Sequence, residues 1–221
     1  MIGKLLRHIR AGTKRLVLNN AYLNNVPESI VISSVALQEN GWLPEKYTQF
    51  GENISPPLEW HNLPVGAKSI VVIIEDSDVP LPVPFVHGIA YNITIADVTA
   101  SAGLQEGDIP TMPVTMENGS QHGLSIGRNT LGKPAYIGPS PIAGHGPHHY
   151  YFQVFALDRR LSLFPRTPGR RDMIKAMTGH VLAKGYLVGV YEKLEQFFVY
   201  GNPTIVVMSG NGDDGKELYR P

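Results

Sequence analysis

The pattern of apolar and polar positions predicts a chain built mainly from β-strands, with its clearest strand at residues 148–157 (HHYYFQVFAL). This stretch is aromatic and β-branched and contains no strand-breaking residue. Because side chains alternate along a strand, His148 and Tyr150 share one face and His149 lies on the other. The first face also holds Phe152 and Val154, and the second holds Tyr151, Gln153 and Phe155.

The segment before this strand, residues 135–147 (AYIGPSPIAGHGP), is rich in glycine and proline. Such a composition predicts an irregular loop that follows a largely fixed path. Its glycines allow backbone N–H groups to approach a ligand closely. The loop and the strand together predict a small polar pocket at the rim of a sheet.

Four other segments have strand-like patterns: Ser29–Leu37, Ser69–Glu75, Phe85–Ile93 and Tyr186–Tyr191. The second is a continuous β-branched run, which is typical of a strand buried on both faces. It leads into residues 76–84 (DSDVPLPVP), where alternate prolines prevent regular strand pairing. Residues 41–64 and 96–134 are expected to be long loops, because turn residues interrupt them throughout.

Two helices are predicted, one before the first strand and one before the last. The first spans residues 2–10 and ends at Gly12, and the second spans Arg171 to Lys184 and is stopped at Gly185. Apolar residues of the first helix recur at helical spacing, at Ile2, Leu5, Leu6 and Ile9. The rest of this arm is basic, which is compatible with a membrane-surface or partner-docking helix. We favour an arm that packs on its own domain or on a dimer partner.

The composition adds limits on class and function. The chain has 221 residues, no net charge and no cysteine, so disulfides, thiol catalysis and zinc–thiolate sites are excluded and nothing favours nucleic acid. Its 23 glycines and 18 prolines favour a mostly β fold. We expect a single domain over residues 1–221, with its core at about 29–192, a basic N-terminal arm at 1–20 and a C-terminal extension at 193–221.

The tail and the cellular location are also predicted from apolar runs. Phe197–Tyr200 and Thr204–Met208, separated by a Gly-Asn-Pro turn, predict an added hairpin or an edge strand. No apolar run approaches the roughly 18 residues that cross a bilayer. Basic residues interrupt any signal-peptide core near the N-terminus, so a cytoplasmic location is expected.

Polar residues at two strand ends suggest where the chemistry lies. Asp76 and Asp78 follow the buried strand, and His87 lies on the next one. An aspartate after a strand is usually a turn residue, and a single histidine is usually structural. Both features in one chain, beside the loop that leads to His148 and Tyr150, favour one polar pocket.

Three motifs carry a resemblance to a known family: residues 53–60 (NISPPLEW), residues 76–80 (DSDVP) with His87, and residues 138–150 (GPSPIAGHGPHHY). Over roughly Ser29 to Glu192 the chain resembles the phosphatidylethanolamine-binding protein family, in its bacterial Raf-kinase-inhibitor-like branch. The resemblance implies an antiparallel β-sandwich with a few short helices and no cofactor. It also implies a site for a small anion such as phosphate, acetate or a phospholipid head group (phosphoethanolamine).

Carried over by position, the resemblance implies that the ligand-binding residues are Asp76, Asp78, His87, Ser140, Pro141, His148 and Tyr150. The chain departs from the family pattern at Ser77 and Ile142, which replace prolines, and at Gly88, where relatives often have tryptophan. A glycine there predicts a more open pocket wall. These departures affect the expected ligand preference and leave the expected fold unchanged.

The residue chemistry agrees with an anion site, because imidazole, phenol and glycine-loop N–H groups are donors that suit phosphate or carboxylate. Asp76 is expected either to fix the tautomer of a histidine or to accept from an ethanolamine ammonium group. A protonated histidine would strengthen anion binding as the pH falls.

Other functions remain open at this point. A hydrolase is one alternative, although the chain has no G-x-S-x-G elbow and Ser140 lies between two prolines. A metal site formed by Asp76, Asp78, His87 and His148 is a second alternative. The family also suggests regulation of a kinase or a protease by protein contact, through an apolar patch at Leu81, Val83 and Phe85. We also expect a homodimer formed through the terminal extensions, because isolated subunits would expose their apolar stripes.

Overall fold

The computed structural model describes residues 2–95, 102–111, 124–162, 166–195, 198–199 and 202–203. Within these residues the chain forms two short α-helices and eleven strands, joined by loops and single turns of 3-10 helix. The helices are α1 (Ile2–Leu6) and α2 (Arg170–Met177). The strands are β1 (Val31–Ser33), β2 (Gly41–Trp42), β3 (Leu58–His61), β4 (Ser69–Asp76), β5 (Phe85–Thr94), β6 (Ala102–Leu104), β7 (Ser125–Gly127), β8 (His148–Leu157), β9 (Val181–Tyr191), β10 (Phe198–Val199) and β11 (Asn202–Pro203). The 3-10 turns are Thr13–Arg15, Val17–Asn19, Ala21–Leu23 and Glu45–Tyr47.

Two sheets account for most of the strands. The large sheet has six strands in the order β2-β9-β8-β4-β5-β7, and the small sheet has three in the order β1-β3-β6. All neighbours in both sheets are antiparallel except β2 and β9, which run parallel. The fold is therefore mostly β, as predicted, but the large sheet is mixed where an antiparallel fold was expected.

The large sheet is covered on both faces. On one face, Val72 and Phe152 form a first core with Leu58 and Trp60 of the small sheet. On the other face, a second core joins apolar residues of β4 and β8 to the N-terminal turns and to α2. Every residue of β4 is buried as a result, which confirms the prediction of a strand without a solvent face.

Strand β8 has the bounds that the sequence predicts. His148 and Tyr150 are buried whereas His149 is half-buried, so the predicted alternation is confirmed. The apolar residues that follow divide between the two cores as expected, with Phe152 in the first and Phe155 in the second.

Several predicted boundaries are wrong. The second helix ends at Met177 rather than Lys184, because Gly179 turns the chain with φ of +79° and β9 begins at Val181. Helix α1 ends at Leu6 rather than at residue 10, and β1 is shorter than predicted. The segments expected to be long loops contain β2, β3, β6 and β7, which have two to four residues each.

The end of the N-terminal arm packs on its own domain, whereas the apolar residues Ile2, Leu5 and Ile9 of its predicted helix are exposed, so the favoured interpretation is confirmed only for the end of the arm. Leu16, Val17 and Leu18 are buried in the second core. Strands β10 and β11 pair as a short hairpin, and the tail beyond residue 203 lies outside the described residues. Among the helices that the structure describes, none has the length and the apolar character needed to cross a membrane.

Candidate functional site

Asp76 and His148 meet because β4 and β8 are antiparallel neighbours. In their register Asp76 lies opposite Tyr150, at the end of β4 and near the start of β8. His148 Nδ1–H donates to Asp76 Oδ2 at 2.7 Å, and both side chains are buried. The two strand ends selected from the sequence therefore form one polar cluster, and Asp76 orients an imidazole as expected.

A second imidazole extends this cluster toward the N-terminal arm. His148 Nε2 lies 2.8 Å from His145 Nδ1, and His145 Nε2–H donates to the carbonyl of Leu6 at 3.0 Å. Three hydrogen bonds thus run in series from Asp76 to Leu6. Each needs one proton, but two neutral imidazoles supply only two. A full set of bonds therefore requires a third proton in this cluster.

The surroundings of His145 disfavour a second proton on its ring. Burial lowers the pKa of His145, and the neighbouring charges of His148 and Arg10 lower it further. His145 is then neutral, with its one proton directed at Leu6 and its Nδ1 free to accept from His148. The N-terminal arm is thereby linked to the buried carboxylate of Asp76.

Asp78 is held by a separate group of donors. Its Oδ2 accepts from the His149 ring at 2.8 Å and from the His149 backbone N–H at 2.7 Å, and its Oδ1 accepts from the Arg10 guanidinium. Burial alone would raise the pKa of Asp78, but the hydrogen bonds from Arg10 and His149 outweigh it and lower the pKa. Asp78 N–H in turn donates to Asp76 Oδ1 at 2.7 Å. Both carboxylates therefore already accept hydrogen bonds from groups of the protein itself.

A β-bulge turns His87 toward Tyr150. The pairing of β5 with β4 shifts between Gly88, opposite Ile74, and Val86, opposite Glu75, which leaves His87 as the extra residue. The ring centroids of His87 and Tyr150 are 5.2 Å apart, and the two rings meet edge to face. The sequence selected His87, but regular alternation could not predict this orientation.

His87 has one ring nitrogen occupied and one unpaired. Nδ1–H donates to the carbonyl of Ile137 at 2.5 Å, whereas Nε2 is buried and has no hydrogen-bond partner among the described residues. Burial lowers the pKa of His87, although the charge of Asp76 opposes this. The ring is therefore neutral near pH 7, and Nε2 is a hydrogen-bond acceptor.

The Tyr150 hydroxyl is the second unpaired group of the site. It is buried and has no hydrogen-bond partner among the described residues. Burial raises the pKa of Tyr150 well above its ordinary value, and the charge of Asp76 adds to the effect. The phenol keeps its proton and remains a donor. An acceptor on His87 and a donor on Tyr150 thus lie side by side.

The glycine-rich loop is held by Asn53, the first residue of the motif at residues 53–60. Gly138 N–H donates to Asn53 Oδ1 at 2.7 Å, and Asn53 itself has φ of +58°. On this loop Pro141 is buried but Ser140 is exposed. A side chain at Gly138 would place its Cβ 2.5 Å from the carbonyl of Tyr47, so only glycine fits.

The structure shows what surrounds two of the departures from the family pattern. Ser77 N–H donates to the carbonyl of His149 at 3.3 Å, a bond that proline cannot make. At Gly88, side-chain atoms of Ile109 and Tyr136 lie 3.5 Å and 3.6 Å from where a Cβ would stand, which are ordinary contact distances. The more open wall expected there stays a prediction.

Arg10 and His145 belong to the cluster but were not predicted. Arg10 belongs to the basic arm, and its contact with Asp78 spans 68 positions of sequence. His145 stands in the same glycine-rich motif as His148, and that motif was the only signal for it. Among the described residues, no three histidine, aspartate or glutamate side chains are grouped as a metal site requires.

Comparison with known proteins agrees with this geometry. A profile of the phosphatidylethanolamine-binding protein family matches residues 33–192. A UPF0098 protein of Pyrococcus horikoshii is 39% identical over 165 residues, which cover 75% of this chain and 77% of that protein.

Two solved structures are also similar. A phosphatidylethanolamine-binding protein homologue from Chlamydia trachomatis has 33% identity and a TM-score of 0.63, and the match covers 75% of this chain and 99% of that one. Escherichia coli YbcL, a member of the mammalian PEBP family, has 25% identity and a TM-score of 0.61, and the match covers 74% and 98% of the two chains. Because the profile match and these similarities extend over more than half of its length, the chain belongs to the phosphatidylethanolamine-binding protein family.

Proposed function

We propose that this protein binds a small phosphate-bearing anion, of the kind found in phospholipid head groups, between His87 and Tyr150. The observation that carries the proposal is the pair of buried, unpartnered groups, His87 Nε2 and the Tyr150 hydroxyl. Buried polar groups in folded proteins nearly always have a partner, so two such groups in contact indicate a binding position. We also infer that the two sheets packed across the first core correspond to the β-sandwich of this family.

The chemistry of the pair favours a ligand that both donates and accepts. A singly protonated phosphate has a P–OH group for His87 Nε2 and an anionic oxygen for the Tyr150 hydroxyl. A fully ionised phosphate would instead require a proton on His87. In either case a proton must lie between the phosphate oxygen and His87 Nε2 in the complex. Binding should therefore strengthen as the pH falls.

The amine of a phosphoethanolamine head group is expected to add little affinity. The carboxylates of Asp76 and Asp78 already accept hydrogen bonds from the protein, and both residues are buried. Phosphate and O-phosphoethanolamine should therefore bind with similar strength.

An NMR titration tests the proposal. Phosphate and O-phosphoethanolamine are added separately to the full chain, to His87→Gln and to His61→Gln, a control at the end of β3 in the small sheet. At the proposed site we expect saturable shifts in β5, β8 and the loop at 138–141, lost in His87→Gln and kept in the control. Shifts of these segments that survive in His87→Gln would contradict the proposal. Release of inorganic phosphate from O-phosphoethanolamine would instead favour the hydrolase alternative.

A second candidate function is regulation of a kinase or a protease by protein contact. The observation that favours it is the exposure of Leu81 and Val83 on the loop between β4 and β5, next to Asp78. Phe85, the third residue of the expected patch, is half-buried with its ring against His87. Inhibition assays against purified kinases and serine proteases, with Leu81→Ser as the variant, test this function. Inhibition of equal strength by the variant would contradict a role for this patch.

A further inference from the structure

A second cleft lies on the side of the large sheet that faces the second core, away from the first core that holds Tyr150. It is bounded by the end of the loop between β4 and β5, by residues 128–132 and by the start of α2. Its volume is about 410 Å³, within the range of about 300–1,000 Å³ that is typical of small-molecule sites.

Positive charge dominates this cleft. Four arginines line it, Arg128, Arg166, Arg170 and Arg171, together with a single acidic residue, Asp172. Arg170 is neutralised elsewhere, because its Nε donates to the buried carboxylate of Glu75 at 2.6 Å. The other three arginines and the one carboxylate give the cleft a net charge of +2.

Asp172 does not neutralise these arginines closely. Its oxygens lie 3.7 Å from Arg128 and 3.8 Å from Arg166, longer than hydrogen bonds. Its Oδ2 instead accepts from the Gly169 N–H at 2.9 Å, at the start of α2. The guanidinium groups therefore retain donors for another acceptor.

Arg128 gives independent support. Its Nε is buried and has no hydrogen-bond partner among the described residues. Its guanidinium lies over Gly169, where a Cβ would stand 3.6 Å from the terminal nitrogen. The side chain as a whole is 35% exposed, so its guanidinium is open to the cleft while one donor nitrogen is buried without an acceptor. Such a donor is costly, which supports an anionic oxygen in the cleft.

We propose that this cleft binds a small phosphorylated molecule, either a phosphate ester or a diphosphate, through Arg128 and Arg171. The planar fork of a guanidinium matches two phosphate oxygens at once, which favours phosphate over a simple halide or a neutral ligand. Val83, Pro84 and Val86 form the apolar side of the cleft, against which an organic group would pack. This site is separate from the one at His87 and does not depend on it.

Calorimetric titration with inorganic pyrophosphate tests this site. The full chain is compared with Arg128→Gln, with Arg171→Gln and with Lys175→Gln, an exposed residue of α2 that does not line the cleft. All are made in a Tyr150→Phe background, so that binding at the first site is weakened equally in every variant. Removal of one charge-assisted contact should weaken binding about tenfold or more, and the Lys175 variant should bind as the parent does.

Two results would overturn the proposal. One is the absence of saturable pyrophosphate binding to the parent at millimolar concentration. The other is an equal loss of affinity in Arg171→Gln and Lys175→Gln, which would indicate general attraction by charge. Arg171 is exposed, so its variant keeps the test valid if Arg128→Gln fails to fold.

Discussion

His87 and His148 are both buried imidazoles, but their ring nitrogens are used in opposite ways. His148 donates through one nitrogen to Asp76 and bonds His145 through the other. His87 bonds the backbone through Nδ1 and leaves Nε2 unpaired. At the residue scale, His148 therefore joins the members of the cluster, and His87 is the imidazole that we propose contacts a ligand.

This difference leads to the first prediction, in which His148→Ala weakens phosphate binding more than His149→Ala. Loss of the His148 ring removes one of the donors to the buried Asp76 carboxylate and leaves the other, the Asp78 N–H, and the less compensated negative charge repels an anion. The loss should be about tenfold or more. His149 is half-buried and its contact with Asp78 is shared with Arg10, so its loss should cost less affinity. Fluorescence or NMR titration of both variants decides between them, and a larger effect at His149 would contradict the assignment.

The second residue-scale prediction concerns acid stability. Because the pKa of Asp78 is lowered in the folded protein, its contribution to stability is present above the ordinary value of 3.8 and is lost as the pH falls below it. The unfolded chain then takes up a proton that the folded chain resists. Asp78→Asn should flatten this part of the pH profile, measured by urea unfolding between neutral and acidic pH. An unchanged slope below 3.8 in the variant would show that Asp78 is not the group responsible.

At the scale of elements, the N-terminal arm closes over the loops that carry the site. Ala11 N–H donates to Val79 at 2.9 Å and Gly12 N–H donates to Ser77 at 2.8 Å, so the arm runs along the loop that holds Asp78. Gly3 packs so tightly that a Cβ there would lie 2.1 Å from the carbonyl of Ala143. The arm lies before the matched family region, which begins at residue 33.

Gly12→Ala should therefore loosen the arm. Gly12 has φ of +85° and ψ of 149°, a region that is almost restricted to glycine, and the strain should cost about 1–3 kcal/mol. Apart from its two chain neighbours, no atom of the described residues lies within 4 Å of the Cβ position, so the effect would come from the backbone. Hydrogen exchange at residues 9–12 and at His145 should become faster. Thr13→Ala, at the neighbouring position, is the matched control, and equal exchange in the two variants would contradict this account.

The elements also show how far the sequence could predict this structure. Strand β8 was predicted with its bounds because ten residues of β-branched and aromatic character contain no breaker. The second helix was extended too far because Val181 and Leu182 fit a helical pattern and a strand equally well. The orientation of His87 depends on a bulge, and the contact of Arg10 with Asp78 depends on tertiary packing, so neither has a local signal.

At the scale of the whole molecule, the exposed stripe of the arm favours self-association. Ile2, Leu5 and Ile9 are 66%, 80% and 51% exposed although they are apolar. We predict a dimer by light scattering at micromolar concentration, and a shift toward monomer in a Leu5→Ser, Ile9→Ser double variant. These substitutions leave the backbone contacts of the arm in place, so the site should still bind phosphate. A parent chain that is monomeric at this concentration would contradict the prediction.

The anion site proposed between His87 and Tyr150 is best tested by calorimetric titration of phosphate into a parent chain that carries Arg171→Gln, which weakens the arginine-lined cleft, and into its Tyr150→Phe and Tyr151→Phe derivatives. Tyr151 lies on the opposite face of β8, so its variant loses the same hydroxyl outside the site. Tyr150→Phe should bind phosphate about tenfold or more weakly, and Tyr151→Phe should bind like the parent. Binding to the parent should also tighten as the pH falls below 6.5, the ordinary pKa of histidine, because burial lowers the pKa of His87 and a bound anion raises it. Equal affinities for the parent and Tyr150→Phe would contradict an anion site between His87 and Tyr150.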